Sequence, residues 1–398
     1  MNGDMDCSAK WRSLVAGALQ EEVLQVVQGL ARAIEESLPQ RVPDASLASG
    51  DSGLALLFAW MDKVDASAHH AGLARGLLDD AMEAVASRPM GMSLHSGVSG
   101  VAWALEHLGE GGDALEEVDA ALAQRLAVAP WTGPVELLSG LVGLGVYALE
   151  RLPRADARRC LEGVVARLGE TWRRESPEGG HDLGVAHGVP GVIAVLAGAV
   201  RAGVAESEAR GLLDGVWSWV MAQRLPLVGR RFPHGVVAGK TPQPTRAAWC
   251  YGDPGVSLVL FTAARAVGEP GWAAEALDMA REAARRPLED SGVKDAPLCH
   301  GAAGLLHIYN RFHQATGEEL FASTARRWLE HALRFGQPGR GVGGFAFWGQ
   351  DARGVPSWVD RPGLLEGTAG IALALLAAAS SVEPSWDRVL LMSLRESA

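Results

Sequence analysis

A Gly-x-x-Gly element recurs seven times along the 398-residue chain, and no other feature restricts the fold as strongly. The pairs are Gly50/Gly53, Gly97/Gly100, Gly140/Gly143, Gly188/Gly191, Gly252/Gly255, Gly301/Gly304 and Gly367/Gly370. First glycines follow one another at 47, 43, 48, 64, 49 and 66 residues. A period in this range marks a repeat architecture, in which one supersecondary unit is copied and stacked.

Each pair is followed by a segment that is apolar nearly all round: 54–61, 101–108, 144–152, 192–200, 256–266, 305–312 and 371–379. Such segments read as buried helices. Between them, 71–87, 113–127, 155–173, 206–224, 272–285 and 318–335 carry apolar residues three and four apart, with charges on the other face. Each repeat is thus one inner and one outer helix. Seven such hairpins stack as an open solenoid or close as a ring. The inner segments are too apolar to leave a side wet, and neither terminal repeat carries a polar cap, so closure is expected. The fold predicted is all-α: an (α/α) toroid in a single domain over 1–398, with repeats spanning about 46–380. The paired glycines read as packing residues that let inner helices approach closely.

Composition narrows the function classes. A net charge of −11 without a basic run argues against a nucleic-acid partner. The N-terminus is acidic and lacks the apolar core of a signal peptide. No apolar run approaches the ~20 residues of a membrane span, which leaves only peripheral membrane association open. Four cysteines in so long a chain make no disulfide framework. A cytoplasmic, reducing location fits and keeps thiols free for metal or chemistry.

Two inter-repeat spacings are long. Residues 225–245 and 337–362 are rich in glycine and proline and read as loops, the second with a hairpin around 349–354. Both lead into inner helices, at Gly252 and Gly367. On a closed ring they overhang one face and offer substrate-binding surface.

Aligning the repeats on the first glycine exposes the chemistry. The residue just before it is Ser49, Ser96, Ser139, His187, Tyr251, His300 or Glu366. The residue before that is Ala48, His95, Leu138, Ala186, Cys250, Cys299 or Leu365. Equivalent positions in neighbouring repeats lie side by side, so Cys250, Cys299 and His300 should converge near the N-termini of two inner helices. Helix N-termini favour thiolates. Two cysteines and a histidine suit zinc, and three protein ligands leave a fourth position open, as in catalytic sites. Cys7 and Cys160 stand outside the column and read as structural. His95 occupies the cysteine column of the second repeat and faces the cavity, outside the metal shell.

The stretches Arg246-Ala247-Ala248-Trp249-Cys250-Tyr251-Gly252, Cys299-His300-Gly301 and Gly184-Val185-Ala186-His187-Gly188-Val189-Pro190-Gly191 resemble the lanthionine synthetase C-like family, the lantibiotic cyclases and their relatives. The resemblance runs from about Ser46 to Ala379. It implies an (α/α) toroid with one zinc on Cys250, Cys299 and His300. The implied reaction is Michael addition of a precursor peptide's cysteine thiol to a dehydroalanine or dehydrobutyrine, giving a thioether ring. His187 is then the residue that supplies or accepts a proton. Tyr251 is a donor to substrate or to His187, and Arg246 binds the enolate oxygen or orients another site group. Where the family has an aspartate four residues before the third repeat's first glycine, this chain has Glu136, one methylene longer. Asp182, five residues before His187, is the second candidate for orienting the imidazole. The expected partners are a dehydrated precursor peptide and a separate dehydratase. Two alternatives share the same frame: addition of glutathione or another small thiol to dehydroamino acids, and a binding protein that keeps the zinc fold without catalysis.

Overall fold

The chain is described by a computed structural model over residues 10–174, 180–351 and 353–394; Cys7 lies outside the described residues. Seven helices begin at the paired glycines: α2 (Asp51–Val64), α4 (Val98–Leu108), α6 (Leu141–Arg151), α8 (Val189–Arg201), α10 (Asp253–Ala266), α12 (Ala302–Thr316) and α14 (Thr368–Ala379). Each packs beside the next, and α14 returns against α2, so the inner ring is closed. Burial follows the apolar composition: every residue of α14 is buried, as are eleven of the fourteen in α10. A fully buried Leu, Ile or Val is worth ~1.5–3 kcal/mol, so a helix apolar on all sides is stable only where all its sides are covered.

Outer helices cover the ring from outside. They are α3 (Ala68–Ser87), α5 (Glu116–Ala127), α7 (Ala155–Arg174), α9 (Glu206–Ala222), α11 (Pro270–Ala284) and α13 (Glu319–Arg334), each packed on the inner helix before it. The seventh pair is not a hairpin. Helix α14 takes its outer partner from the other end of the chain, α1 (Gly17–Ser37), which lays Val23, Val27, Leu30, Ala31 and Ile34 against the core. The toroid is all-α as expected, but its last wedge is sealed by the earliest described helix. Among the described residues, no helix is long and apolar enough to cross a membrane.

The glycines act mainly within their own repeat. A Cβ on Gly50 would stand 2.0 Å from the Asp44 carbonyl oxygen, and one on Gly367 2.4 Å from that of Arg361. The second glycines are as tight: Gly100 would meet the Leu94 oxygen at 1.8 Å and Gly304 the Leu298 oxygen at 2.0 Å. Each pair therefore folds the preceding turn down over the start of its helix. Approach to the neighbouring repeat, the role expected from sequence, is secondary: Gly53 and Gly100 would meet Leu364 Cβ and Leu47 Cβ at 3.0 Å.

The lumen is filled from below. A 3-10 segment, Ser385–Leu390, and the residues after it bury Trp386, Val389, Leu390, Leu391 and Met392 almost completely. The segment is tied to four inner helices. Trp60 Nε1 donates to the Glu383 carbonyl at 3.2 Å, His107 Nε2 and Ser385 Oγ are 3.3 Å apart, and Arg388 pairs with Glu150 at 3.2 Å. Buried Asp387 accepts from Arg311 Nε at 2.6 Å and lies 2.7 Å from His307 Nε2. The ring is a cup with a floor, not a channel.

Candidate metal centre

The aligned column is a physical belt. Ala48 N–H donates to the His95 carbonyl (2.9 Å), and His95 N–H to Leu138 (3.1 Å). Leu137 N–H donates to Ala186 (3.1 Å), Ala186 N–H to Cys250 (3.5 Å) and Cys250 N–H to Cys299 (3.2 Å). Cys299 N–H donates to Leu365 (3.0 Å) and Leu365 N–H to Ala48 (2.9 Å), which closes the circuit. The register slips by one residue at the third station, where Leu138 N–H turns to Glu136 Oε2 at 2.9 Å. Residues adjacent in this column are thus adjacent in space.

At stations five and six the belt brings Cys250, Cys299 and His300 together, with one ligand atom from each lying within 4.8 Å of the others. Gly252 sets the fifth station apart. Its φ is +89°, whereas the six other first glycines are extended, between −102° and −141°. Only glycine takes that conformation without strain. Both thiols are buried. Cys250 loses its proton first: the Cys299 thiol hydrogen-bonds to it and His300 lies beside it, which outweighs the burial that opposes charge. The same Cys250 charge, with burial, holds Cys299 up. A buried thiolate beside a second thiol and an imidazole is a donor set that fits a divalent metal, whose charge would offset that of both sulfurs.

Arg246 is exposed and makes no side-chain hydrogen bond or ion pair among the described residues. Its charge nevertheless adds to the lowering of Cys250 and partly opposes the rise of Cys299 and Asp295. Asp295 has a fully buried side chain and accepts the Trp348 N–H at 2.9 Å. Burial raises its carboxyl, against the His300 and Arg246 charges and the Trp348 N–H.

His187 and Glu136 form a pair, Nδ1 to Oε2, at 3.2 Å. Glu136 also accepts from the N–H groups of Leu138 and Ser139 and from the Ser139 hydroxyl. Burial pushes the Glu136 carboxyl up, but His187 and these donors outweigh it and hold it down at about 2. The hydrogen bond to Glu136 raises His187 above its ordinary value, against partial burial. The side chain of His187 stays 45% exposed, so the Nε2 edge can reach a substrate. The longer arm of glutamate does not prevent the contact.

Asp182 takes a different partner from the one expected. The Tyr251 hydroxyl donates to its Oδ2 at 2.7 Å, and its Oδ1 accepts the Gly184 N–H at 2.7 Å. Burial and then this bond push the Tyr251 phenol far up, so it remains a donor. The Tyr251 ring stacks on His234 at 4.1 Å and stands 6.0 Å from the His187 ring. Gly184 makes this arrangement fit: a Cβ there would be 2.6 Å from the Tyr251 ring. Strands β1 (His181–Asp182) and β2 (Gly235–Val236) pair antiparallel and carry Asp182 and the loop of His234 to this position. His95 is buried with neither ring nitrogen partnered among the described residues, and burial lowers it to about 4, so it stays neutral.

The two long loops are moored beside the thiols. Buried Asp253, three residues past Cys250, accepts the N–H groups of Arg231 and Phe232 at 2.8 and 2.9 Å. Asp295, four residues before Cys299, holds the second loop through Trp348. That loop forms the expected hairpin, β3 (Phe347–Gln350) with β4 (Pro356–Val359), in the register Trp348 to Trp358. A cleft of about 320 Å³ opens beside it, lined by Ser49, Arg361, Glu366 and Leu365 among others, the last being the belt partner of Cys299. The aligned column did not single out Asp295, Asp253 or His234. The signal for Asp295 was available: it stands five residues before His300, as Arg246 does before Tyr251 and Asp182 before His187.

Comparison with known proteins gives the chain's fold and family. The chain is 27% identical over 158 residues to the nisin biosynthesis protein NisC of Lactococcus lactis subsp. lactis; the alignment covers 37% of this chain and 37% of that relative, so it spans well under two thirds of the relative's length. The structure of a nisin cyclase superimposes with a TM-score of 0.70 at 20% identity, covering 94% of this chain and 98% of the other, a likeness of fold. With the family's sequence profile matching residues 41–391, essentially the whole ring, the chain belongs to the lanthionine synthetase C-like protein family.

Proposed function

We propose that this protein is a zinc-dependent peptide cyclase that closes lanthionine or methyllanthionine rings in a dehydrated precursor peptide. The observation that carries the reading is the meeting of Cys250, Cys299 and His300 next to a station that presents His187, its Nδ1 engaged by Glu136. Zinc held by the three ligands is a Lewis acid that favours the thiolate form of a bound thiol. The thiolate's electron pair attacks the β-carbon of the dehydro residue and forms the C–S bond, leaving an enolate that takes a proton at the α-carbon. Glu136 engages Nδ1 and favours the protonated ring, which leaves Nε2–H as the proton source. Arg246, exposed and unpaired, offers its charge to the enolate oxygen. Tyr251 has its hydroxyl committed to Asp182 and serves as a wall that sets the His187 ring, not as the donor.

The hairpin, the 225–245 loop and the cleft at Arg361 and Glu366 offer the surface along which a peptide would lie. The dehydro residues come from a separate dehydratase. The cytoplasm suits this reading, because a reducing compartment keeps Cys250 and Cys299 as thiols.

The test is incubation of the purified protein with a dehydrated, cysteine-containing precursor peptide. Ring closure leaves the mass unchanged but removes thiols from alkylation. Alkylation that stays complete across several dehydrated peptides overturns the cyclase reading.

A further inference from the structure

Asp295 stands in the loop before α12, its side chain sealed from solvent. Its two oxygens are used unequally. Oδ2 accepts the Trp348 N–H at 2.9 Å and lies 3.9 Å from His300 Nε2. Oδ1 is buried with no hydrogen-bond partner among the described residues. A buried oxygen without a donor costs about 1–3 kcal/mol, so this carboxylate carries unused acceptor capacity beside the imidazole. The residue next to Trp348 also bears on the imidazole: the Phe347 ring packs against that of His300 with centroids 5.2 Å apart. The β3–β4 hairpin therefore meets His300 twice, through the Phe347 ring and through the carboxylate tied to Trp348.

A histidine that binds metal through one ring nitrogen carries a proton on the other, and that N–H needs an acceptor. Nε2 is the nitrogen turned toward Asp295. A shift of about 1 Å brings 3.9 Å down to hydrogen-bonding distance. Resting on the zinc reading above, we propose that Asp295 is the positioning residue for His300: it accepts the Nε2–H, leaves Nδ1 to the metal, and ties the ring's setting to the β3–β4 hairpin. Loss of such a partner weakens metal affinity about 10–100-fold.

The experiment measures zinc affinity by chelator competition in the wild type and in Asp295→Asn. The asparagine amide oxygen still accepts the Trp348 N–H, so a purely structural anchor leaves affinity unchanged, whereas a neutral oxygen is a poorer acceptor for Nε2–H than a carboxylate. The expected result is affinity about 10–100-fold weaker, with the metal-free protein melting where the wild type does. Wild-type affinity in the variant overturns the proposal while leaving the metal reading intact; a wild type that holds no zinc overturns the metal reading itself. Should the variant fold poorly, long-range ¹H–¹⁵N spectra of the zinc-loaded wild type decide the matter. A protonated Nε2 with Nδ1 as ligand supports the assignment, and ligation through Nε2 overturns it.

Discussion

The indole N–H of Trp249 donates to the carbonyl of Leu390 at 2.9 Å, so the segment that floors the ring supports the residue immediately before Cys250. Trp249→Phe removes the donor and keeps most of the ring's volume. It leaves a buried carbonyl without its partner, and stability should fall by about 1–3 kcal/mol. Denaturant unfolding measures this through the midpoint. Removing residues from 383 onward is far more severe: five apolar side chains at about 1.5–3 kcal/mol each are comparable to the whole stability margin of a typical domain. That chain should not fold.

The ligand set predicts a sharp compositional result. Cys250→Ala, Cys299→Ala and His300→Ala should each bring bound zinc from about one per chain to near zero, since two donors rarely hold zinc against buffer. Elemental analysis of the purified variants provides the check. Full zinc in Cys299→Ala removes that residue from the ligand set.

The His187–Glu136 pair makes a pH prediction with a definite sign. Glu136 is held down at about 2 from its ordinary 4.5, so its share of stability is present above 4.5 and lost as pH falls toward 2. His187 is raised above its ordinary 6.5, so its share is complete below 6.5 and lost as pH rises through the raised value. The pair is therefore strongest between these limits, and with half of His187 in solvent its contribution is small. In Glu136→Gln, the His187 titration followed by NMR should move down toward the ordinary range. An unchanged titration means that Glu136 does not govern His187.

Tyr251 and His187 should separate in a mutant comparison. Tyr251→Phe loses one bond to a carboxylate that keeps the Gly184 N–H, at a cost of about 1 kcal/mol. Zinc content should be unchanged and cyclisation reduced less than tenfold. His187→Ala removes the proposed proton source and should reduce cyclisation by about 10²–10⁴-fold. Single-turnover alkylation assays read both. A Tyr251→Phe loss as deep as that of His187→Ala would assign the donor role to the phenol.

Much of this protein could be read from one repeated element. The paired glycines located seven inner helices, and the residues before them lined up Cys250, Cys299 and His300, because each turn must fold over its own helix in the same way. What lies off that frame was not legible. Helix α1 has no glycine pair, so its place on α14 rests on shape complementarity between distant segments. The 385–390 floor is a short stretch of mixed polarity, Ser385-Trp386-Asp387-Arg388-Val389-Leu390, with no periodicity to mark it as buried. Whether Glu136 or Asp182 faces His187 depended on a few ångströms, which spacing does not encode. The register slip at Leu137 and Leu138 brings Glu136 to the imidazole, while Asp182 is drawn away by the phenol of the next station.

The pairing of α1 with α14 also bears on how the molecule is made. Synthesis adds about 5–20 residues per second, and early segments begin to fold as they emerge. The apolar face of α1, with Val23, Val27, Leu30 and Ile34, waits for its main partner, α14, until the stretch from Thr368 has been translated. The Cys299 N–H likewise waits for Leu365. A nascent chain thus carries an open wedge through most of translation, a natural target for a ribosome-bound chaperone. The station of Cys299 and the last seam of the ring are thus closed by the same late segment.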